Sequence, residues 1–288
     1  MQTPRDLRRR IKSVTATAQI TKAMQMVAAS KMRKAQLAAI ATRPFVRLLY
    51  RIQRHATIAA ANFDHPLLER REDHRRAVIL IAGDKGLCGA LNSNVFRAAA
   101  QIDPSSTIFI TAGRKAAQFI ARTGRQLAAE FAYGDSPAYA EARAIAAFAR
   151  DRFLAGDVDR VWVVATRFVN TLAQEPVSIE YLPVGEIHGL SIPGVGTEPT
   201  HGGDTEDTAF EPSAEFVLDY LLGHYLNIYI YYVLLNAKAS EQSARMVSMK
   251  NATDSAQTLI ESLTLDYNKL RQGAITKELL EIAGGQAG

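Results

Sequence analysis

The stretch Leu235 to Ala274 reads LNAKASEQSARMVSMKNATDSAQTLIESLTLDYNKLRQGA. Within it Leu235, Ala239, Gln242, Met246, Met249, Thr253, Ala256, Ile260, Leu263, Tyr267, Leu270 and Ala274 succeed one another at alternating steps of four and three. That spacing draws a narrow stripe along one side of an α-helix and calls for a second helix against it. No proline follows Pro212, so the helix is predicted to run on towards Ile282. At 1.5 Å per residue it would be roughly 100 Å long, several times the width of a small domain. Such a rod protrudes, or it threads through something else.

The partner helix is expected at the other end of the chain. Residues 3 to about 58 also read as helix, with Thr3 as cap and Pro4 at the first helical position. Leu7, Ile11, Val14 and Ala18 start its apolar stripe, and Ile20, Met24, Val27 and Leu37 extend it. Alanines crowd this segment, which favours helix and lets two backbones approach closely. Pro44 predicts a kink or break. The two ends are therefore expected to pair as a long antiparallel coiled coil, residues 1–60 with residues 212–288.

Between them, residues 61–211 read as an α/β domain. Asp64-His65-Pro66 reads as a turn. Ala77 to Ala82 is a continuous apolar run, the mark of a strand buried on both faces. The loop Gly83 to Gly89 and a helix over 90–100 follow. Then come a strand at 107–111, a helix to about Thr123, a short strand at 127–131, a helix capped by Ser136-Pro137 and running to Leu154, a strand at 160–166 and a more amphipathic one at 177–182. Strand and helix alternate with short connections, which predicts a Rossmann-like layout with a mostly parallel sheet. Residues 184–211 are rich in Gly, Pro, Thr and acids, and read as a flexible acidic linker.

Charge divides the chain. Residues 1–60 hold thirteen Lys or Arg and one acid, Asp6, while residues 61–212 hold fifteen Lys or Arg against twenty acids. A helix this basic suits an acidic surround: nucleic acid, an anionic membrane or an acidic protein surface. The single cysteine, Cys88, excludes an internal disulfide and suits a reducing compartment. The positive Met1 to Arg10 segment is followed by no apolar h-region, so no secretory leader is expected. The most apolar run, Tyr225 to Leu235, is shorter than the roughly 20 residues a membrane span needs.

No motif for catalysis is found. Gly83 to Gly89 follows a buried strand, as a phosphate loop would, but contains no G-x-G-x-x-G, and Gly89 is followed by Ala90-Leu91 where a Walker loop needs Lys then Ser or Thr. The loop reads as a tight turn or contact loop, with Asp84 and Lys85 facing solvent or a partner and Cys88 partly buried. The six histidines are scattered and make no metal-binding pattern. Neither cofactor nor metal is called for. Tyr229 to Tyr232 reads as packing where the long helix meets the α/β domain. Two other classes stay open on residues alone: a basic coiled-coil adaptor or nucleic-acid binder, and a dinucleotide-dependent enzyme.

Three segments together resemble one family, the gamma subunit of F-type ATP synthase. They are Arg10 to Val14 with Gln19 to Met32; Asp84 to Gly89 with Asn92; and Ala239 to Met246, Met249 to Thr253, Tyr267 to Gln272 and Ile275 to Ile282. The family usually has Asn and Lys where this chain has Ala16 and Gln19, Glu at Asn236 and Arg at Lys269. The resemblance implies a non-catalytic subunit, the central rotor shaft. Its helices would form a left-handed coiled coil inside three alpha and three beta subunits. The α/β domain would sit at the foot against the epsilon subunit and the c-ring, with delta, a and b subunits in the same complex. Proton flow through the c-ring would turn the shaft and drive ATP synthesis on the beta subunits. ATP hydrolysis would run it backwards as a proton pump. The implied place is the cytoplasmic side of a bacterial inner membrane, peripheral to it. Carried over by position, Met24 and Arg245 fall where the two helices face each other and the beta subunits. Arg271, Gln272 and Thr276 fall on the C-terminal track gripped by the beta subunits. The loop bearing Lys85 and Cys88 falls opposite an acidic beta-subunit surface.

Overall fold

A computed structural model describes residues 3–59, 64–184 and 210–285. The expected linker lies almost wholly outside them. Two helices dominate: α1, Pro4–Ala59, and α5, Ala214–Gly285, of 56 and 72 residues. At the start of α1 the Asp6 N–H donates to Thr3 Oγ1, while the Thr3 hydroxyl and N–H both donate to the Asp6 carboxylate. This reciprocal cap satisfies donors that a helix start otherwise leaves open. The helix runs through Pro44 without a break. Pro44 and Ile40 are both exposed, so the carbonyl that loses its donor there is on the open side of the helix.

The chain forms two compact units. The first consists of α1 up to Ala29 and α5 from Arg245 onward, which pack as an antiparallel pair. Met249, Ala256 and Leu263 are buried, and Thr253, Ile260 and Tyr267 half-buried, as the alternating spacing predicts. On α1 the seam runs through Leu7, Ile11, Val14, Ala18, Thr21, Met24 and Ala28. The expected continuation through Ile20, Val27 and Leu37 is corrected, because all three are more than half exposed. The inward positions fall one residue later or two residues earlier, at Thr21, Ala28 and Ala35, where small side chains allow close approach. Thr21 lies opposite Thr253. In that antiparallel register Pro4 comes level with Leu270. The seam accordingly ends: Leu270 is 42% exposed and residues 271–276 are all exposed. The last 15 residues or so of α5, about 22 Å, continue as a helix with no α1 opposite.

The second unit runs from Ser30 to Ala244. Its sheet comprises β1 (Arg76–Ile81), β2 (Thr107–Ala112), β3 (Gln126–Phe131), β4 (Arg160–Phe168) and β5 (Gln174–Leu182), in the order β3-β2-β1-β4-β5. The first four are parallel and β5 is antiparallel to β4. Three helices connect them: α2 (Leu91–Ala100), α3 (Arg114–Arg122) and α4 (Tyr139–Leu154). Alternate residues of β1 enter two cores. Val78 and Leu80 pack with Val95, Ala99, Ala116 and Ile120 of α2 and α3. Ala77, Ile79 and Ile81 pack with Ala142, Ile145 and Phe153 of α4 and with Leu222, Tyr229, Ile230 and Leu234 of α5. Burial on both faces is why the strand reads as an unbroken apolar run. The tyrosine stretch of α5 is thus packing, as its sequence suggests.

The expected cap of α4 is corrected. Its N-cap is Ala138, and Glu141 reaches back so that its carboxylate accepts from the N–H groups of Ala138 at 2.7 Å and Gly134 at 3.2 Å. The glutamate at the third helical position thus ties down the chain entering the helix, and no side chain at the N-cap accepts from the first turn.

Candidate functional site

In a sheet of this order, ligands bind beyond the carboxyl ends of the strands where the strand order reverses, here between β1 and β4. The loop after β1 holds the expected contact residues. Lys85 is exposed and Cys88 is 2% exposed. The Cys88 thiol points to the Lys85 carbonyl at 3.9 Å, and Asn92 Nδ2 donates to Cys88 Sγ at 3.5 Å, so the cysteine folds the loop from inside. Asp84, expected to face solvent or a partner, instead caps α3: its carboxylate accepts from the Arg114 N–H at 2.9 Å. Loops after adjacent parallel strands lie side by side, and a carboxylate at a helix start is favoured.

Between Asp84 and Cys88 stands a residue that the sequence did not single out. Leu87 adopts φ 63°, in the left-handed region, and is 62% exposed. Holding a bulky residue there costs roughly 1–2 kcal/mol. The loop uses that strain to present an apolar side chain outward. Positive φ at a leucine leaves no trace in composition.

The switch-point crevice is closed to nucleotide chemistry by the chain's own helix. A Cβ on Gly83 would lie 2.8 Å from the Glu241 carboxyl carbon. Glu241 is 2% exposed and pairs with Lys238, which also pairs with Asp135 in the loop after β3. Asp135 in turn binds Lys31 of α1. Chiefly through the Lys31 hydrogen bond, its carboxyl group is held down at about 2. Burial raises the Tyr133 hydroxyl well above its usual range, and that hydroxyl donates to the Ala82 carbonyl at 3.0 Å. A phosphate at Gly83 would meet a carboxylate, which removes the dinucleotide reading. The sequence carried one sign of this cluster, a lysine and a glutamate three residues apart just past the apolar run Tyr225 to Leu235.

The other expected residues lie on the long helices. In the first unit, Met24 is half-buried and level with Lys250, and Arg245 is buried at 7% exposure and level with Ala29. Arg271, Gln272 and Thr276 are exposed on the lone end of α5, where the Thr276 hydroxyl donates to the Gln272 carbonyl at 3.0 Å. Exposed Ile275, Leu279 and Leu280 accompany them. A bare helix with an arginine and several apolar residues outward is built to lie against another surface. Among the described residues, no group of three or more His, Cys, Asp or Glu is placed to hold a metal, and no helix is long and apolar enough to cross a membrane.

A family profile described as ATP synthase matches residues 3–288. The ATP synthase gamma chain of Opitutus terrae is 46% identical over 290 residues, covering 99% of this chain and 98% of that one. That of Desulforamulus reducens is 43% identical, covering 100% and 99%. Among solved structures, the central stalk and c-ring of Tetrahymena thermophila mitochondrial ATP synthase contains a chain similar at TM-score 0.60 and 25% identity, covering 81% of this chain and 99% of that one. The rotor of Euglena gracilis mitochondrial ATP synthase contains another, at TM-score 0.63 and 20% identity, covering 94% and 98%.

Proposed function

Because this chain belongs to the ATP synthase gamma-chain family, we infer that it is the central rotor shaft, coupling rotation of the c-ring to the catalytic sites of the alpha and beta subunits. Proton flow turns the ring and the shaft to drive ATP synthesis, and ATP hydrolysis turns them the other way. The subunit carries no catalytic site of its own. It works in complex with the alpha–beta hexamer, the c-ring and the remaining subunits, on the cytoplasmic side of the membrane and peripheral to it.

One observation carries this reading: α5 continues as an exposed and partly apolar helix, with Arg271 outward, beyond the point where α1 begins. Such an end gains from an enclosing apolar sleeve that offers Arg271 an acidic partner. Residues 1–60 and 212–288 supply the shaft, and residues 61–211 supply the foot. Arg271, Gln272 and Thr276 form the track that beta subunits grip, and Met24 and Arg245 set the helix pair where it meets them. Lys85 meets an acidic beta-subunit surface, with Cys88 holding its loop. Coupling then requires that different states of the catalytic ring prefer different shaft angles.

Tagging the chain in its host, solubilising membranes mildly and identifying what copurifies tests the reading. Three alpha, three beta, epsilon and c subunits with ATPase activity in the same fraction are expected. Recovery of the chain alone, or on nucleic acid, would overturn it.

A further inference from the structure

Lys238 is buried to 1% exposure on the part of α5 that belongs to the second unit. Its ammonium lies 3.1 Å from Glu241 Oε2 and 3.2 Å from Asp135 Oδ1, and 5.1 Å from the centre of the Tyr133 ring. An ammonium has three N–H groups, and two carboxylates and an aromatic face account for them. The second oxygen of Asp135 binds Lys31 of α1. Glu241 also closes over Gly83 at the end of β1. Two cations and two anions thus balance, with parts on α1, on α5 and in the loop after β3.

A buried ion pair such as Lys238–Glu241 is poor value as stability, since apolar residues of the same volume do as well or better. What it supplies is direction. Most of the core between α5 and the sheet is Leu, Ile, Val and Tyr contacts, which carry no direction of their own, and the Tyr181 hydroxyl adds one buried bond, to the Leu226 carbonyl at 3.1 Å. The ionic hydrogen bonds of the buried Lys238 are directional, and they are lost when the helix turns.

We propose that Lys238, joining Glu241 to Asp135 and through Asp135 to Lys31, is a positioning residue that fixes the rotational setting of both long helices on the α/β domain, so that torque on that domain reaches the helices without slip. The proposal rests on the rotor reading and adds to it the residues that hold the joint. Asp135, with its low pKa, stays charged throughout the range in which the machine works.

The test uses the assembled complex with the catalytic ring immobilised and a probe on the α/β domain, reading the variance of the probe angle during a dwell. Asp135 and Lys31 are 47% and 40% exposed in their side chains, so Asp135→Ala and Lys31→Met are expected to fold. Each is expected to raise the variance at least about two-fold, and Asp135→Glu to restore most of it. Lys238→Met combined with Glu241→Gln removes both buried charges together and should give the same rise. Asp157→Ala is the control, because Asp157 is 46% exposed and pairs with Arg152 away from the cluster. Unchanged variance in Asp135→Ala, or an equal rise in Asp157→Ala, overturns the proposal. A parent complex that does not rotate at all overturns the rotor reading instead, and this proposal with it.

Discussion

Thr21 Oγ1 and Thr253 Oγ1 lie 2.7 Å apart across the α1–α5 pair. Each hydroxyl has one hydrogen, and each also lies within bonding distance of a carbonyl on its own helix: Ala18 at 3.1 Å for Thr21, Met249 at 2.8 Å for Thr253. One threonine therefore gives up its backward bond to make the bond across. A directional tie amid alanines fixes register where apolar contacts alone would allow a slip. Thr253→Val keeps the shape and should cost about 1 kcal/mol of stability in the intact chain. Thr21→Val should cost a similar amount, and the double variant clearly less than the two together. A double-mutant cycle in urea measures this. Strict additivity would show that the two hydroxyls act independently and that the tie is not what sets the register.

Leu7 sits near the far end of the same seam, 2% exposed, while Leu279 lies on the lone end of α5, 62% exposed. Leu7→Ala should cost the isolated chain about 2–3 kcal/mol, as for a buried leucine. Leu279→Ala should leave its unfolding midpoint within about 0.5 kcal/mol of the parent. Equal losses would mean that the α5 end is packed in the free chain, contrary to its exposure.

These residues show what the sequence reveals and what it hides. The α5 seam was legible because a repeat of four and three needs no knowledge of the partner. Its end at Tyr267 was not, because that depends on the register against α1, which one pair of threonines settles. On α1 the larger residues Ile20, Val27 and Leu37 drew the stripe, yet Ala and Thr take the inward positions, because close backbone approach outweighs side-chain size there. β1, β2 and β4 were legible as apolar runs. The antiparallel direction of β5 was not, since alternation does not encode direction. The Lys31–Asp135–Lys238–Glu241 cluster depends on contacts between residues about 100 positions apart, and local pattern reveals only its Lys238–Glu241 step. Asp84 was misread for the same reason: its partner is the N–H of Arg114, at the start of α3 and 30 positions away.

Asp135 gives a pH dependence with a definite sign. Its carboxyl group falls from 3.8 to about 2 in the folded chain, mainly through its hydrogen bond to Lys31. The folded form therefore binds its proton less readily than the unfolded form. The stability it contributes is complete above about pH 4 and disappears as pH falls through about 2. A shift of this size is nominally worth 2 kcal/mol or more, but with the side chain half exposed about 1 kcal/mol is expected. Asp73, lowered chiefly by its hydrogen bonds to Arg76, acts in the same direction, so the parent chain loses more than this in total. The informative quantity is the difference between parent and Asp135→Asn, by urea unfolding at pH 6 and pH 2.5. The gap should be about 1 kcal/mol at pH 6 and about a third of that at pH 2.5. A gap that does not narrow would mean that Asp135 acts through shape rather than charge.

Charge reversal separates the α5 track from the general basicity of the chain. Arg271 is exposed on helix that has no α1 beside it, whereas Lys115, at the start of α3, bonds to Gln118 on its own helix at 3.1 Å. Both substitutions change net charge by the same amount. If a basic chain merely suits an acidic surround, Arg271→Glu and Lys115→Glu should weaken function alike. If the end of α5 works against an acidic surface as the shaft turns, reversal at Arg271 converts attraction into repulsion at each catalytic state. About 1.4 kcal/mol lost in the rate-limiting state is a tenfold fall in rate. In membrane vesicles, Arg271→Glu is expected to lower ATP-driven proton pumping about tenfold, and Lys115→Glu less than two-fold, at equal amounts of assembled complex. Raising the salt should narrow the difference, because an exposed charge is screened within about 10 Å at 0.1 M. Equal effects of the two reversals would remove Arg271 from the coupling surface and leave only the overall charge of the chain to account for its partners.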